Sequence, residues 1–369
     1  MHHDTTLKFF LCSFLTKHAE KFNDDNAVVR NFNDKRGKIM LKRKLYSCVL
    51  ALGLVAPMHV ALAQTDQTTL RLAVETTPGD PLNVMLATFR DALQESAEDS
   101  IELEFFEGGA LGDEAALMQL IRAGEVQVVP LGSDVVELDN NFALFDMPFL
   151  FADKESARAT LDGELGDLLS ASLRDKANLE VLAYGELGFR VISNNRHPIR
   201  TPKDLDGLKL RTPGSETRLL AFEMLGAAPT PMALGEVYVA LRQGVLDGQE
   251  NPLSVLEEFS LYEVQDYVSL TNHVYTPITL AMNASAYDSL SAELQEKMAQ
   301  AAQEGAEATR QLSDESDATL VDDFTEAGVS VNQPDLDSFI SASVPIRDEI
   351  AKRLSGDFWS QAQTLLEQK

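Results

Sequence analysis

Cysteine is nearly absent from this chain of 369 residues, since only Cys12 and Cys48 occur in it. Both lie near the N-terminus, so a chain processed to begin near residue 64 has no thiol, no disulfide and no cysteine-ligated metal site. The motifs G-x-S-x-G and H-E-x-x-H, which mark common hydrolase active sites, are also missing. The sequence therefore gives little support to a secreted hydrolase or lyase acting on small organic acids, which is the alternative from another functional class.

Basic residues are scarce as well. The chain has 31 Lys and Arg against 58 Asp and Glu, which gives a formal net charge of −27. Nucleic acids and anionic lipid surfaces are bound by clusters of cations, so neither is an expected partner. Hydrophobic residues make up 44% of the chain, so it folds, and its length exceeds what one hydrophobic core usually fills. We expect an exported, freely soluble protein of two domains.

A long apolar run is also absent. The apolar run at 45–56 has about a dozen residues, whereas a bilayer span requires ~20. Three basic residues, Lys42, Arg43 and Lys44, precede this run, and the tripeptide Ala-Leu-Ala follows it at 61–63. This order is typical of a secretory signal peptide, which we predict at 40–63. Residues 1–39 are then predicted to be a mis-annotated upstream segment, with translation starting at Met40.

The rest of the chain mixes strand and helix patterns. Segments 70–74 and 101–105 alternate apolar and polar residues, as strands do, and 114–123 has helical spacing behind a capping Asp113. Strands alternating with helices predict an α/β fold with mostly parallel sheets. Further elements are predicted as a helix at 81–95, strands at 126–129 and 208–211, a helix at 157–173 and a turn at 247–248. One long helix at 292–327, ~54 Å in length, is expected to brace both domains.

The cations gather in one part of the chain. Seven Lys or Arg lie between Arg190 and Arg218, whereas residues 243–296 contain none. An acidic protein that concentrates its cations in this way is expected to handle an anion, although a solvated surface would give the same composition. Arg211 ends a predicted strand, where open α/β sheets bind their ligands, and a guanidinium grips a carboxylate with paired hydrogen bonds. Arg190 lies near an expected crossing between the domains, so two arginines are predicted to face one cleft.

Several motifs resemble those of the solute receptors of tripartite ATP-independent periplasmic (TRAP) transporters. They occur in the expected order over essentially the whole chain after residue 63. They are Gly-Leu-Lys-Leu-Arg-Thr-Pro at 207–213, Gly-Ala-Ala-Pro-Thr-Pro-Met at 226–232, Glu-Val-Tyr-Val-Ala-Leu at 236–241 and Val-Leu-Asp-Gly-Gln-Glu-Asn-Pro at 245–252, with shorter matches at 109–112, 147–151 and 271–273.

The resemblance implies a two-domain periplasmic binding protein fold with hinge strands and a long helix across both domains. The expected limits are 64–187 plus 276–315 for domain I and 188–275 plus 316–369 for domain II. It also implies a receptor that binds a small organic acid and delivers it to the TRAP membrane permease subunits. No cofactor, metal or catalytic residue is expected, and we expect a monomer. A ligand-sensing subunit of a signalling system would use the same fold and stays an alternative.

The same resemblance assigns roles to individual residues. The arginine that grips the ligand carboxylate in the family corresponds to Arg211, the second arginine to Arg190, and the asparagine of the Gln-Glu-Asn-Pro motif to Asn251. The chain departs from the family pattern at Leu234, where a phenylalanine is common, and at Gly214, where some sugar-acid receptors have asparagine.

Four further residues are candidates for the binding site. Tyr238 is either a ligand contact or a helix-packing residue, and Asp113 and Glu114 are first of all helix-capping residues. Glu75 follows the first strand and faces the expected cleft, where it can accept hydrogen bonds from ligand hydroxyls. A buried acid beside a second ligand carboxylate is costly, so Glu75 favours a sugar acid over a dicarboxylate.

Overall fold

The computed structural model of the chain describes residues 67–98 and 100–367. The predicted upstream segment 1–39 and signal peptide 40–63 lie outside the described residues. The strands of this part of the chain are β1 (Thr68–Ala73), β2 (Ile101–Phe106), β3 (Val128–Leu131), β4 (Leu179–Phe189), β5 (Val191–Asn194), β6 (Lys209–Thr212), β7 (Ala228–Pro231), β8 (Gly248–Asn251), β9 (Tyr267–Ser269), β10 (Tyr275–Asn283) and β11 (Ser330–Asn332).

Helices separate most of these strands. They are α1 (Pro81–Ala97), α2 (Glu114–Ala123), α3 (Lys154–Leu161), α4 (Glu164–Ala177), α5 (Glu216–Met224), α6 (Val237–Arg242), α7 (Leu253–Glu258), α8 (Ala284–Asp288), α9 (Ala292–Glu326), α10 (Leu336–Ala351) and α11 (Gly356–Glu367). Short 3-10 helices occupy Ser133–Glu137, Asn140–Asp146, Pro202–Leu205, Leu234–Glu236 and Leu261–Val264. None of the helices in the described residues is long and apolar enough to cross a bilayer.

The strands form two mixed sheets, which confirms the predicted α/β class. The first sheet has the order β2-β1-β3-β10-β4, and the second has the order β11-β9-β5-β8-β6-β7. β1 is parallel to β2 and β3, and β6 is parallel to β7 and β8, as helical crossovers require. The chain passes from the first sheet to the second at Arg190 and returns before β10. At this crossing the Arg190 N–H donates to the Val274 carbonyl at 3.0 Å.

One long helix contributes to the cores of both sheets, as predicted. α9 has 35 residues, about 52 Å at 1.5 Å per residue. Near its N-terminal end, Met298 and Ala302 are buried with residues of the first sheet, whereas Leu320 and Phe324 are buried with residues of the second. Gly305 permits the close approach of α1, because a Cβ there would lie 2.7 Å from the carbonyl oxygen of Met85.

The structure differs from the sequence-based elements at three places. The predicted helix at 157–173 is two helices, because the chain turns at Asp162 and Gly163 caps α4. The predicted turn at 247–248 leads directly into β8, whose Gly248 packs so closely on β5 that a Cβ would lie 2.2 Å from the Ser193 carbonyl oxygen. The predicted strand at 126–129 is displaced by two residues and is β3.

The C-terminal helix α11 packs against α4, which lies in the predicted domain I. α11 buries Phe358 and Ala362 in the same apolar cluster as Leu165 and Leu169 of α4, which precede β4 of the first sheet. The same cluster also contains Ala221 of α5, which follows β6 of the second sheet. The domain limits stay a prediction.

Candidate functional site

A cavity of about 300 Å³ lies between the two sheets, where strands of both end. Part of its polar lining comes from residues that end or follow β1, β3, β6 and β8, at the carboxyl ends of strands in the parallel parts of the sheets, and the rest comes from the start of α2 and from the crossing between β4 and β5. The cavity brings together six of the seven residues predicted for the site, which are Glu75, Asp113, Glu114, Arg190, Arg211 and Asn251. Apolar side chains of Leu187, Leu234 and Val255 complete part of the wall.

Arg211 is buried and forms no ion pair with the residues that the structure describes. Its Nε and Nη2 donate to the carbonyl oxygen of Met232 at 2.8 and 2.6 Å, and its Nη1 has no acceptor among the described residues. The other buried arginines of this part of the chain, Arg190, Arg218 and Arg310, are each paired with a carboxylate. Burial, together with the charge of Arg190, lowers the pKa of Arg211 to about 10. The guanidinium is therefore held in place with its end directed to a cavity and without a counter-anion.

Arg190 and Asn251 belong to a buried ionic network centred on Glu250. Arg190 forms an ion pair with Glu250, and its Nη2 donates to Asn251 Oδ1 at 2.8 Å. Arg218 joins Glu250 to Asp146 with distances of 3.1 and 2.7 Å, and His273 Nε2 lies 3.0 Å from Glu250. Burial alone would raise the pKa of Glu250, but the charges of Arg190 and Arg218 outweigh burial and hold this pKa well below its usual range.

Three carboxylates that follow strands of the first sheet line the cavity, and each has one oxygen fixed by a backbone N–H. Glu75 accepts from Glu114 N at 2.9 Å, Glu114 accepts from Gly132 N at 2.6 Å, and Asp134 accepts from Gly214 N at 3.0 Å. The second oxygen of each has no hydrogen-bond donor in residues 67–98 and 100–367. These carboxylates are therefore positioned acceptors with free capacity.

Burial raises the pKa values of these carboxylates. The pKa of Glu75 rises to about 7, against the hydrogen bond from Glu114 N and with the help of the charges of Asp134 and Asp80. Burial raises the pKa of Glu114 well above its usual range, and Asp134 and Glu75 add to this effect. Burial also raises the pKa of Asp134, while the charge of Arg211 opposes the rise. Together they do not form a metal site, since no group of three or more His, Cys, Asp or Glu in the described residues is placed to hold a metal ion.

Tyr238 does not reach the cavity. It lies on α6, its ring packs beside the apolar cluster of the second sheet, and its hydroxyl donates to Glu263 at 3.4 Å. Its surroundings are therefore those of a helix-packing residue rather than of a ligand contact. Asp113 lines the cavity at its exposed edge, and its side chain accepts from Ala116 N as the cap of α2.

Sequence analysis missed Asp134 and the network around Glu250. Asp134 lies three residues after the end of β3, so the rule that ligands lie beyond strand ends would have pointed to it if that strand had been placed two residues later. Arg218, Glu250 and Asp146 are distant in sequence and carry no periodic pattern. Only the Gln-Glu-Asn-Pro motif contained a signal, in Glu250 beside Asn251.

Comparison with known proteins is consistent with this arrangement. Residues 72–354 match the model of the family described as bacterial extracellular solute-binding protein, family 7. The chain is 38% identical over 295 residues to the 2,3-diketo-L-gulonate-binding periplasmic protein YiaO of Escherichia coli (strain K12), covering 78% of this chain and 88% of that protein.

Two solved structures with bound sugar acids are similar to this fold. The sugar acid binding protein of Advenella mimigardefordensis strain DPN7T in complex with galactonate has a TM-score of 0.77 and 29% identity, covering 82% of this chain and 98% of that one. A TRAP periplasmic solute binding protein of Roseobacter denitrificans with bound β-D-glucuronate has a TM-score of 0.75 and 29% identity, covering 81% and 98%.

Proposed function

The chain belongs to family 7 of the bacterial extracellular solute-binding proteins, the predicted TRAP receptor family, and we propose that its cavity binds a hydroxylated monocarboxylate of the sugar-acid class. One observation carries this proposal: Arg211 is a buried cation that faces the cavity without a carboxylate partner. A buried charge requires a counter-charge, and a ligand carboxylate supplies one with the geometry that a guanidinium binds best. Arg190 and Asn251 lie beside it as the second arginine and the amide of the site.

The acidic side of the cavity supports a ligand rich in hydroxyl groups. Glu75, Glu114 and Asp134 each have an oxygen that accepts no hydrogen bond from the protein, and sugar hydroxyls are donors that would bind there. A second ligand carboxylate would lie against these acids, and like charges in contact cost several kcal/mol. The volume of about 300 Å³ is at the small end of ligand cavities, which suits a single sugar acid.

The remaining parts of the proposal concern location, partners and chemistry. Export through a signal peptide at 40–63, with a mature start near Gln64, would place the protein in the periplasm, where it delivers its ligand to TRAP membrane permease subunits as a monomer. Binding without turnover is favoured because the lining of the cavity contains no His, Cys or Lys of the described residues.

A calorimetric titration of purified protein against chosen acids tests the proposal. The panel contains galactonate, glucuronate and erythronate, the C4 dicarboxylate succinate, and galactose as a neutral control. A thermal shift precedes the titration, because a ligand at 100 times its Kd stabilises a protein by ~2.7 kcal/mol. We expect at least one of the three sugar acids to bind, without chemical change and far more tightly than succinate or galactose. Preference for succinate, or conversion of a bound acid, would contradict the proposal.

A further inference from the structure

Asp134 connects the two sheets at the edge of the cavity. It follows β3 of the first sheet, and its Oδ1 accepts from Gly214 N, which follows β6 of the second sheet, at 3.0 Å. Asp134 also lines the cavity together with Arg211. Its second oxygen, Oδ2, accepts no hydrogen bond from the described residues. One oxygen therefore joins the sheets while the other leaves a negative charge at the cavity.

Gly214 is the residue whose backbone N–H donates to Asp134. It lines both the ligand cavity and a second cavity of about 710 Å³, so it forms part of the wall between them. A Cβ at position 214 would lie 2.8 Å from Glu137 Oε1, so a larger residue would displace the side chain of Glu137, whereas its distance of 3.7 Å from Asp134 Oδ1 is an ordinary contact. The glycine therefore leaves room for the Glu137 carboxylate beside this wall.

Asp134 and Arg211 influence each other without forming an ion pair. Among the carboxylates that line the cavity, Asp134 has the largest electrostatic effect on Arg211. A ligand carboxylate bound to Arg211 therefore lies in the field of Asp134, and a second carboxylate of the same ligand in this cavity would also be repelled by Asp134. The attraction of Arg211 compensates the first charge but not the second.

We propose that Asp134 is a specificity-determining residue that excludes dicarboxylates from the cavity while its bond to Gly214 keeps the cavity wall closed. This inference rests on the proposed function, because it assumes that a monocarboxylate pairs with Arg211. It assigns the two oxygens of one side chain to separate tasks, one structural and one electrostatic.

The substitution Asp134→Asn separates these tasks, since the amide oxygen can still accept from Gly214 N while the charge is lost. Calorimetry would compare each aldonate with the dicarboxylate of the same chain length, galactonate with galactarate and erythronate with meso-tartrate. We expect the wild type to prefer the aldonate and Asp134→Asn to reduce the ratio of the two affinities about tenfold or more. Aldonate affinity should stay equal or increase.

Glu137→Gln is the matched control. Glu137 lies on the same 3-10 helix and lines the same cavity, but it is more exposed and donates or accepts no hydrogen bond with Gly214. Its substitution should change the affinity ratio less than about threefold, because solvent screens the charge. Asp134→Ala should also reduce the ratio of aldonate to dicarboxylate affinity. It should weaken aldonate binding as well, since the hydrogen bond between Gly214 N and Asp134 is lost.

The outcomes are distinguishable from failure of the proposed function. If the wild type binds neither aldonate nor any acid of the panel, the sugar-acid proposal itself is wrong. If the wild type binds an aldonate selectively and Asp134→Asn leaves the ratio unchanged with a native melting temperature, the role of Asp134 is wrong. An equal loss of selectivity in Glu137→Gln would also overturn it, because any nearby acid would then suffice.

Discussion

The two sides of the cavity hold their charges by different means. On the arginine side, which comprises Arg190, Arg211 and Asn251, Arg190 is ion-paired with Glu250 and donates to Asn251, while Arg211 donates to the Met232 carbonyl and forms no ion pair with the described residues. On the carboxylate side, which comprises Glu75, Glu114 and Asp134, the supporting groups are backbone N–H donors. The pKa values of two glutamates are therefore shifted in opposite directions. Burial raises the pKa of Glu75 to about 7, whereas two arginines hold the pKa of Glu250 well below its usual range.

This difference assigns a separate task to each side. A network of opposite charges is rigid and keeps its ionisation state, so the arginine side presents a fixed positive site. Backbone donors fix the position of a carboxylate but compensate only part of its charge, so Glu75, whose pKa rises to about 7, takes up a proton near neutral pH, and the free carboxylate oxygens of this side can accept from ligand hydroxyls. Substitutions on the two sides should therefore affect different measurements.

The largest effect is expected from Glu250→Ala. This change leaves Arg190 and Arg218 buried without their shared partner, and breaking a single buried pair already costs about 3–5 kcal/mol. We expect the free energy of unfolding to fall by about 5 kcal/mol or more, close to the whole stability of many domains. Urea unfolding measures it, and Glu257→Ala, an exposed acid of α7, serves as the control with a change below about 0.5 kcal/mol. If Glu250→Ala and Glu257→Ala lowered the free energy of unfolding equally, the ionic network around Glu250 would not be what holds the arginine side.

The next largest effect is a loss of ligand affinity in Arg211→Ala. A carboxylate that loses its buried partner is destabilised by roughly 3–5 kcal/mol, about 100- to several-thousand-fold in Kd. Stability without ligand should change little, because the only protein acceptor of Arg211 among the described residues is the Met232 carbonyl. Arg211→Lys keeps the charge but not the paired donors, so it should also bind weakly. Arg190→Ala should reduce affinity less than Arg211→Ala.

Calorimetry with the sugar acid identified in the panel measures these affinities. Arg196→Ala is the control, since Arg196 belongs to the same cluster of cations in sequence but its side chain is 64% exposed. Near-wild-type affinity of Arg211→Ala would contradict the assignment of a carboxylate ligand to this side.

A pH-dependent difference between wild type and Glu75→Gln tests the carboxylate side. Burial raises the pKa of Glu75 from its ordinary value of 4.5 to about 7 in the folded protein, so the folded state binds this proton more tightly than the unfolded state does. Wild type should therefore lose stability relative to Glu75→Gln as pH rises from 4.5 to 7, by up to about 3 kcal/mol. Glu250 and His273 titrate in both proteins and cancel from the difference. Urea unfolding from pH 4.5 to 8 measures it, and a constant difference would show that Glu75 is ionised throughout.

The sequence predicted the arginine side better than the carboxylate side, for a physical reason. Arg211 ends a predicted strand within a cluster of cations, Asn251 lies in a motif of the family, and Arg190 lies near the expected domain crossing, and all of these are local features of the sequence. Predicting Asp134 as a site residue requires knowing where β3 ends. Strand propensity does not place the end of a four-residue strand to within two residues. The pairs of Arg218 with Glu250 and Asp146 join residues 32 and 72 positions apart, so only the packed fold brings them together.

The smallest effect is expected from Tyr238→Phe, which tests where the arginine side ends. The substitution keeps the ring that packs on the second sheet and removes only a hydroxyl bonded to Glu263 at 3.4 Å, an exposed contact longer than a strong hydrogen bond. Stability should change by less than about 0.5 kcal/mol, and affinity for the sugar acid should stay within about twofold. The same titration measures it alongside Arg211→Ala. A tenfold loss would mean that the ligand reaches α6, so that the binding site extends beyond the cavity between the sheets.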